Sequence, residues 1–275
     1  MVKKATGASY PAVSDKIIFD SLLPLPPLAE QRRIADILDK ADALRAQRRA
    51  ALAELDTLTQ STFLDLFGDP ASNLKGWPKV HLSAVCESHE DIKCGPFGTQ
   101  LAKGEYQEAG VPLWGIRNVN ALFALPTREF LESATAKRLA QYSIEPGDIV
   151  MTRKGTIGNC AVYPEDMPSG IMHSDLLRLR VSRNRIAPDF LAHQLHHSRD
   201  VARQIELISG GAIMPGINVT KLKNLEVLLP PLTLQRDFAR RITAIESLKS
   251  RHRAALAELD TLFASLQHLA FRGEL

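Results

Sequence analysis

A run of ten residues occurs twice in this chain without one change. Residues 49–58 read RAALAELDTL, and residues 253–262 repeat them at an offset of 204 positions. The same offset aligns Leu-Pro-Pro-Leu at 25–28 with Leu-Pro-Pro-Leu at 229–232. Because such self-similarity indicates repeated structural units, we expect two copies of one unit on either side of a segment that is not repeated.

Each copy has the pattern of one long helix. The first runs from about Glu30 to Phe67 with no internal glycine or proline, and paired prolines precede both copies. Seam residues recur in alternating steps of four and three, which is the heptad spacing of a coiled coil. The first seam consists of Ile34, Leu38, Ala41, Arg45, Arg48, Leu52, Leu55, Thr59, Thr62 and Leu66, and the second of Phe238, Ile242, Ile245, Lys249, His252, Leu256, Leu259, Phe263, Leu266 and Ala270.

The length of these helices indicates what covers their seams. A helix of roughly 38 residues spans about 57 Å, which is too long to bury a seam against a small compact domain. We therefore expect the two helices to pack against each other, in antiparallel fashion if the ends of the middle segment lie close together. The charged seam centres, Arg45 with Arg48 and Lys249 with His252, either fix the register of the pair or extend their tips into solvent.

The middle segment predicts a mixed α/β domain. Short β-like runs are separated by turn signals such as Pro146-Gly147 and Gly155, and helices are expected after Ser133 and from Pro188 to Ile208. The predicted fold class is therefore α+β, with a long antiparallel two-helix coiled coil that carries one mixed α/β domain.

Composition narrows the function. The formal net charge is only +3, from 34 basic and 31 acidic side chains, so nucleic-acid binding requires a local basic patch rather than a strongly basic protein. The apolar runs are too short for a membrane span, and the first residues lack the apolar core of a signal peptide. These features predict a cytoplasmic protein with no membrane partner.

No metal site is predicted. The three cysteines are an odd number, so free thiols are expected rather than a disulfide framework. Two groups of side chains come close to metal-ligand composition, but one fits no familiar spacing and the other suits a wetted helix face better. The first group is Cys86, His89, Cys94 and Cys160, and the second is His193, His196 and His197.

The chain also lacks the motifs of common enzymes. It contains no phosphate-binding glycine loop, no dinucleotide fingerprint, no His-Glu-x-x-His zinc motif and no Gly-x-Ser-x-Gly elbow. The Asp/Asn-Pro-Pro-aromatic motif of amino-methyltransferases is missing too, since leucine flanks both Pro-Pro pairs. We therefore predict a binding protein with no catalytic residues.

Three glycine-bearing loops, at 92–100, 114–120 and 152–159, carry polar and basic side chains. Glycine allows a tight turn or a close approach to a surface, while Arg, Lys, Asn and Gln contact base edges and phosphates. The alternative for each loop is an ordinary exposed turn. The predicted DNA contacts are Thr99, Gln100, Lys103, Arg117, Asn118, Asn120, Arg153, Lys154 and Thr156.

Two other sets of side chains allow more than one interpretation. Arg178 and Arg180 alternate with apolar residues and so share one strand face, which either meets phosphates or faces solvent; Arg183 and Arg185 follow them. The aromatic residues expected in the core, rather than against bases, are Phe97, Trp114 and Phe123.

Several landmarks, in this order, resemble the specificity subunits of type I restriction-modification systems. Residues 25–32 (LPPLAEQR) are similar to the start of the first spacer helix of that family, and residues 229–232 to the start of the second. Landmarks similar to those of its recognition domains are Gly95-Pro96-Phe97-Gly98-Thr99, Arg117-Asn118, Pro146-Gly147-Asp148-Ile149, Gly155 and Gly158.

The resemblance implies a domain organisation and a function. Residues 1–24 correspond to the tail of an incomplete recognition domain, 25–69 to the first conserved spacer helix, 70–228 to a target-recognition domain, and 229–275 to the second conserved spacer helix. The implied function is sequence-specific binding of double-stranded DNA without catalysis. The alternative is a coiled-coil protein-interaction scaffold that does not bind DNA.

The resemblance also implies partners. In this family the spacer helices dock methyltransferase subunits, and a motor-endonuclease subunit joins them. S-adenosylmethionine, ATP and Mg²⁺ are expected only in those partner subunits, so this chain needs no cofactor. A second copy of the chain is a further candidate partner, because one recognition domain stands where the family usually has two.

Overall fold

The computed structural model describes residues 13–20, 25–209 and 216–275, and the chain divides into two compact units. The helical unit comprises Met1–Asp56 and Glu246–Leu275, and the globular unit comprises Thr57–Ile245. The domain tail predicted at 1–24 is described only over 13–20, and the remainder of it lies outside the described residues. The predicted domain boundaries stay predictions.

Two long helices lie on either side of a segment of short strands and short helices, as the sequence predicts. The helices of the described residues are α1 (Asp15–Phe19), α2 (Leu28–Phe67), α3 (Ile116–Asn120), α4 (Ser133–Arg138), α5 (Pro188–His197), α6 (Arg199–Ser209), α7 (Val219–Lys223) and α8 (Leu232–Arg272). The strands are β1 (Lys79–His81), β2 (Ile92–Cys94), β3 (Tyr106–Gln107), β4 (Val111–Trp114), β5 (Phe130–Leu131), β6 (Ser143–Ile144), β7 (Ile149–Thr152), β8 (Cys160–Val162), β9 (Gly170–Met172), β10 (Leu176–Leu179) and β11 (Glu226–Leu228).

In the helical unit, α2 and α8 pair in antiparallel fashion. Arg45 Nε donates to the Asp260 carboxylate at 2.6 Å, and Lys249 Nζ lies 2.8 Å from an Asp56 carboxylate oxygen. Residue numbers therefore rise along one helix as they fall along the other. Of the predicted seam residues, only Arg48 is exposed, so the antiparallel coiled coil is confirmed.

These two ion pairs are images of each other under the sequence repeat. The offset of 204 positions carries the arginine of one pair onto the lysine of the other and exchanges their two aspartates. Arg48 and His252, which the same offset relates, approach each other to 3.3 Å. The repeat is therefore expressed in three dimensions as a local two-fold relation centred on this contact.

The charged seam centre fixes the register of the pair. Lys249 is buried, and its ammonium contacts both Asp56 and Glu246. Burial acts to lower the pKa of Lys249, but the hydrogen bonds to the two carboxylates outweigh it and leave the pKa raised. A shift of one heptad would separate this charge from its partners, which opposes other registers. Extension into solvent is the outcome only for Arg48.

Three sheets form the framework of the globular unit. The first has the strand order β2-β10-β7-β8 with antiparallel neighbours, and the second has the order β3-β5-β4-β9-β6, in which β4 and β9 are parallel. A two-stranded ribbon pairs β1 with β11. Strands β7 and β10 are buried along their whole length. Exposed polar side chains in this part of the sheet therefore lie at the strand ends and in the connecting loops.

Aromatic side chains from both long helices enter one core of the globular unit. The Phe67 ring lies 4.6 Å from that of Phe190 and 5.6 Å from that of Phe238, measured between centroids. Phe63 stacks on Phe190 and packs 4.7 Å from the His193 ring. The expectation that all three neighbouring histidines wet a helix face was therefore wrong for His193, which is buried.

The interpretation of Arg178 and Arg180 as an exposed strand face was also wrong. Arg178 is buried, and its guanidinium donates to the Ser143 carbonyl at 2.7 Å. Arg180 binds the Asp148 carboxylate through Nε and Nη2, each at 2.8 Å. Long-range pairing of β7 with β10 creates these internal partners, and local alternation in the sequence cannot show them.

The two arginines that follow also bind protein groups. Arg185 donates to the carbonyls of Ala84 and Cys86, and Arg183 pairs with Glu165 at 2.8 Å. Arg178 and Arg180 are therefore structural groups in this fold, whereas Arg183 and Arg185 bind protein groups at the surface.

The thiols are free, as expected. Cys86 and Cys160 are buried and Cys94 is half-buried, and none of the three forms a disulfide. Burial raises the pKa of both buried thiols to about 12, so they stay protonated. Within the described ranges, no group of three or more His, Cys, Asp or Glu side chains is arranged to hold a metal ion. No described helix is long and apolar enough to cross a membrane.

Candidate nucleic-acid interface

The tip of the β7–β8 hairpin is the centre of the candidate site. Thr152 N donates to Asn159 O at 2.8 Å, and Gly158 N donates to Thr152 O at 3.0 Å, so residues 153–158 form the connection. Gly155 has φ of +68°, a left-handed conformation that glycine adopts without strain. The glycine-bearing loop at 152–159 is therefore the tip of a β-hairpin.

Side chains tie this tip to the end of α3. The Thr156 hydroxyl donates to the Asn120 side-chain carbonyl at 2.9 Å, and Asn159 Nδ2 donates to the same oxygen at 3.0 Å. Thr156 and Asn120 are nevertheless exposed. The amide of Asn120 and the oxygen lone pairs of Thr156 remain able to contact a ligand. Two of the three predicted loops thus meet at one place.

The third loop joins the cluster through an aromatic contact. Arg153 Nε donates to Ile217 O at 3.0 Å, and its guanidinium carbon lies 5.5 Å from the centroid of the Phe97 ring. Phe97 is 53% exposed, so its assignment to the core was wrong. Trp114 and Phe123 are buried as predicted. An aromatic ring and a cation therefore share one exposed surface.

His173 and Asp175, which are not among the predicted DNA contacts, also belong to the cluster. Lys154 Nζ lies 3.1 Å from a carboxylate oxygen of Asp175, and the other oxygen lies 3.2 Å from His173 Nδ1. Asp175 O also accepts from Arg153 N at 2.7 Å. The His-Ser-Asp run at 173–175 precedes β10 immediately, and this position at a strand end is the signal that could have indicated them.

Gln100 has a structural role in this arrangement. Its side-chain carbonyl accepts from Phe97 N at 3.0 Å and from the Tyr142 hydroxyl at 2.9 Å. Its backbone carbonyl accepts from Arg138 Nη1 at 2.6 Å. These bonds close the turn that presents Phe97. The prediction that Gln100 contacts DNA stays a prediction, and its amide is the group left for that purpose.

Asn118 is held inside the fold. Its Oδ1 accepts from Gly115 N at 3.2 Å, its Nδ2 donates to Leu125 O at 3.1 Å, and the side chain is buried. This bonding shapes the turn before α3 and the loop that follows it. We therefore treat Asn118 as a support of the interface, although its predicted DNA contact has not been tested.

The remaining predicted contacts are exposed. Thr99, Lys103 and Arg117 all lie at the surface, and among the described residues none supplies an ion-pair partner to either cation. Lys103 also lines a cavity of about 480 Å³ beside the loop at 95–100. An unpaired guanidinium next to a hairpin of polar groups can bind phosphate or a guanine edge.

Backbone proximity fixes the loop at 95–100 against the cluster. Gly95 N donates to Leu176 O at 3.0 Å, and a Cβ atom at Gly95 would overlap the carbonyl oxygen of His173. Only glycine fits there, because the obstructing atom is backbone. The glycine of this landmark therefore holds the loop beside the residues before β10.

A family profile and the curated relatives of this chain indicate the same family. A profile of the family described as the type I restriction modification DNA specificity domain matches residues 75–259. The chain is 25% identical, over 98% of its length, to the type I restriction enzyme MjaVIII specificity subunit of Methanocaldococcus jannaschii. The chain spans less than two thirds of the length of the curated relatives that it matches, from 57% to 65%.

Solved structures show the same fold. The HsdS subunit from Thermoanaerobacter tengcongensis is similar with a TM-score of 0.55 and 25% identity, over all of this chain and 66% of that one. A chain from a structural study of complex assembly and conformational transition of the type I R-M system is similar with a TM-score of 0.63 and 24% identity, over 98% of this chain and 66% of that one.

Proposed function

This chain belongs to the type I restriction modification DNA specificity family, and from that premise we propose that its globular unit reads one half-site of double-stranded DNA. The observation that supports this proposal best is the convergence of three loops into one exposed polar and cationic cluster. The proposed contacts are Phe97, Thr99, Lys103, Arg117, Asn120, Arg153, Lys154, Thr156 and His173.

The cluster contains groups that can contact phosphates and groups that can contact base edges. Arg117 and Lys103 provide unpaired cations for phosphates or guanine edges, and Asn120 offers an amide for a base edge. Lys154 forms an ion pair with Asp175, and this carboxylate weakens the attraction between the Lys154 ammonium and a phosphate. Since the hairpin and α3 are bonded to each other, these groups are held in position before DNA arrives.

We propose that the antiparallel helices act as a spacer and a docking surface for methyltransferase subunits. Two recognition domains held at a fixed separation read two half-sites at a fixed DNA spacing. A motor-endonuclease subunit completes the assembly. In this proposal the chain has no catalytic activity, and S-adenosylmethionine, ATP and Mg²⁺ are bound by the partner subunits alone.

The repeat also indicates where a second recognition domain would dock. In the globular unit, the buried side chain of Gln235 accepts from Ala187 N at 2.8 Å and donates to Pro230 O at 2.7 Å. Its repeat counterpart, Gln31, donates to Pro26 O at 2.8 Å in the same way. Within the described part of the chain, no donor reaches the side-chain oxygen of Gln31.

Apolar side chains that lie in the globular unit are more buried than their repeat counterparts in the helical unit. Phe67 is fully buried, whereas its counterpart Phe271 is 74% exposed. Leu25 and Leu28 are exposed, whereas Leu229 and Leu232 are half-buried. We propose that this second end binds a recognition domain from another half-subunit. A second copy of this chain is the alternative occupant.

The recognised motif tests this arrangement. In a host that carries this chain with its methyltransferase, methylome sequencing is expected to give a two-part motif whose halves differ, because a different domain reads each half. A palindromic motif would instead favour a second copy of this chain as the partner. A motif with a single part would contradict any second domain.

Replacement of Arg117 tests the DNA interface. The purified chain is expected to bind duplex DNA with strong dependence on salt. Arg117→Ala should cost about 1 to 3 kcal/mol of binding free energy and relax sequence preference if the guanidinium reads a base, whereas Lys154→Ala should weaken all sequences alike. Fluorescence anisotropy at several salt concentrations measures both effects.

The matched control is Arg240→Ala, since Arg240 is an exposed arginine on α8 that already pairs with Asp237. Its replacement should leave DNA affinity within experimental error. Absence of salt-dependent affinity, even with the methyltransferase present, would favour the protein-interaction scaffold. Methylation or cleavage by the isolated chain would refute the proposal that it is not catalytic.

A further inference from the structure

A cavity of about 480 Å³ lies beside the DNA-contact cluster, and two of the proposed contacts, Lys103 and His173, line it. Pro96 and Gly98, the two neighbours of Phe97, form part of its wall. The tripeptide at 96–98 therefore lines the cavity and presents an exposed aromatic ring beside it. The polar and aromatic groups of the remaining wall are Lys103, Tyr106, Glu129, His173 and Ser174.

The lining combines ring surfaces with hydrogen-bonding groups. The Tyr106 and His173 rings meet edge to face, with centroids 6.5 Å apart and an interplanar angle of 81°. Burial, together with the Glu129 and Asp175 carboxylates, raises the pKa of Tyr106, so its hydroxyl keeps its proton and can donate. Lys103 adds a donor, and Glu129 adds an acceptor.

These groups select a flat, uncharged heterocycle. The volume lies within the range of about 300 to 1,000 Å³ that is typical of pockets for small organic molecules. A phosphate group suits this wall poorly, because the Glu129 carboxylate repels an anion. A nucleobase has both a ring face for stacking and donors and acceptors along its edge, which matches the rings and polar groups present.

The position of Phe97 explains how a base could reach the cavity from DNA. Its ring is exposed and lies 5.5 Å from the Arg153 guanidinium carbon, beside the hairpin tip of the proposed interface. Apolar and aromatic side chains that insert at a base step separate the neighbouring bases. A base that leaves the stack next to such a side chain lies close to the cavity, because Pro96 and Gly98 form part of its wall.

We propose that this cavity receives one nucleobase extruded from the bound duplex while Phe97 occupies the gap in the stack. This inference rests on the proposed function, since it requires DNA on this surface. It adds a base-extrusion step to recognition by the globular unit itself, which reads the edge of the extruded base with Lys103, Tyr106 and Glu129.

The test uses duplexes of the recognised sequence in which 2-aminopurine replaces each base of the half-site in turn. The fluorescence of 2-aminopurine rises when the base unstacks, and fluorescence anisotropy of an end label reports binding in the same sample. The chain is used without methyltransferase, so that no partner contributes extrusion. We expect a several-fold rise in fluorescence at one position and little change at the others.

Variants connect the signal to the cavity. Phe97→Ala should remove most of the rise, and Phe97→Trp should retain it; Phe97 is exposed, so neither change threatens the fold. Tyr106→Ala should also reduce the rise, whereas Tyr106→Phe keeps the ring and should preserve it. Leu74→Ala is the control, because Leu74 is an exposed apolar residue of the globular unit outside the cavity.

The outcomes separate this inference from the function on which it rests. Specific binding by anisotropy, with no rise at any position, overturns base extrusion and leaves DNA recognition intact. Loss of both signals rejects the proposed function and the extrusion together. If free 2-aminopurine riboside binds the chain but no duplex position responds, the cavity binds a free nucleoside and the extrusion is again overturned.

Discussion

Replacement of Arg180 with alanine is expected to lower the free energy of unfolding of the globular unit by about 3 kcal/mol. The guanidinium binds both oxygens of the Asp148 carboxylate, and Asp148 is only 3% exposed. Without the arginine, a carboxylate charge stays buried with one backbone donor, Glu145 N, at 2.8 Å. The expected loss lies at the low end of the range for broken buried pairs, because Arg180 itself is partly exposed.

Urea unfolding of the variant and the parent chain measures this loss. Arg183→Ala is the control, because its ion pair with Glu165 is largely exposed and should contribute less than about 1 kcal/mol. Arg180→Lys should be intermediate, since lysine restores the charge but not the paired hydrogen bonds. Equal losses for Arg180→Ala and Arg183→Ala would show that the buried carboxylate does not depend on its partner.

The arginines at 178–185 illustrate what a sequence pattern omits. Alternation with apolar residues correctly places Arg178, in β10, and Arg180, directly after its end, on the same side. It does not reveal that this face is covered, because the groups that cover it come from residues 141–148, more than thirty positions earlier. The interpretation as a phosphate-facing or solvated row failed for this reason.

The long helices were predictable because their signals are local or repeated. Heptad spacing, paired prolines and the ten-residue repeat all lie within one helix length, and the observed α2 and α8 match them. The cross-helix pairs of Arg45 and Lys249 required only an antiparallel arrangement, which is expected if the ends of the middle segment lie close together.

The candidate interface was predictable in outline but not in detail. The three glycine-bearing loops were identifiable, since glycine positions depend on backbone geometry that a motif records, and the structure brings these segments together. The hydrogen-bond partners of single side chains did not follow from the sequence. Asn118 is a plausible base reader by residue type, yet the turn before α3 uses both ends of its amide. Phe97 is apolar, yet the closed turn at 97–100 leaves it at the surface.

The same repeat position is expected to tolerate alanine at one end of the chain and not at the other. Phe67 and Phe271 are identical residues separated by the repeat offset of 204 positions. Phe67 is fully buried among the rings of Phe63, Phe190 and Phe238. Phe67→Ala should therefore cost about 3 to 5 kcal/mol of unfolding free energy, through lost burial and the cavity that remains.

Phe271→Ala is the matched comparison within one chain. Phe271 is 74% exposed, so its truncation in the isolated chain should change the unfolding free energy by less than about 0.5 kcal/mol. Urea denaturation monitored by circular dichroism, with both variants measured at the same protein concentration, gives the two values. Each variant removes the same atoms at the same repeat position in the last turn of a long helix, so propensity effects largely cancel.

The difference between these two losses of unfolding free energy shows whether the docking surface that is covered at the Phe67 end is empty at the Phe271 end. If a recognition domain docks at the Phe271 end as it does at the Phe67 end, Phe271→Ala should cost little in isolation but weaken the assembly with that domain by several kcal/mol. A large loss of stability for Phe271→Ala in the isolated chain would mean that this end is already covered, and the proposed docking of another half-subunit would then have no surface on which to act.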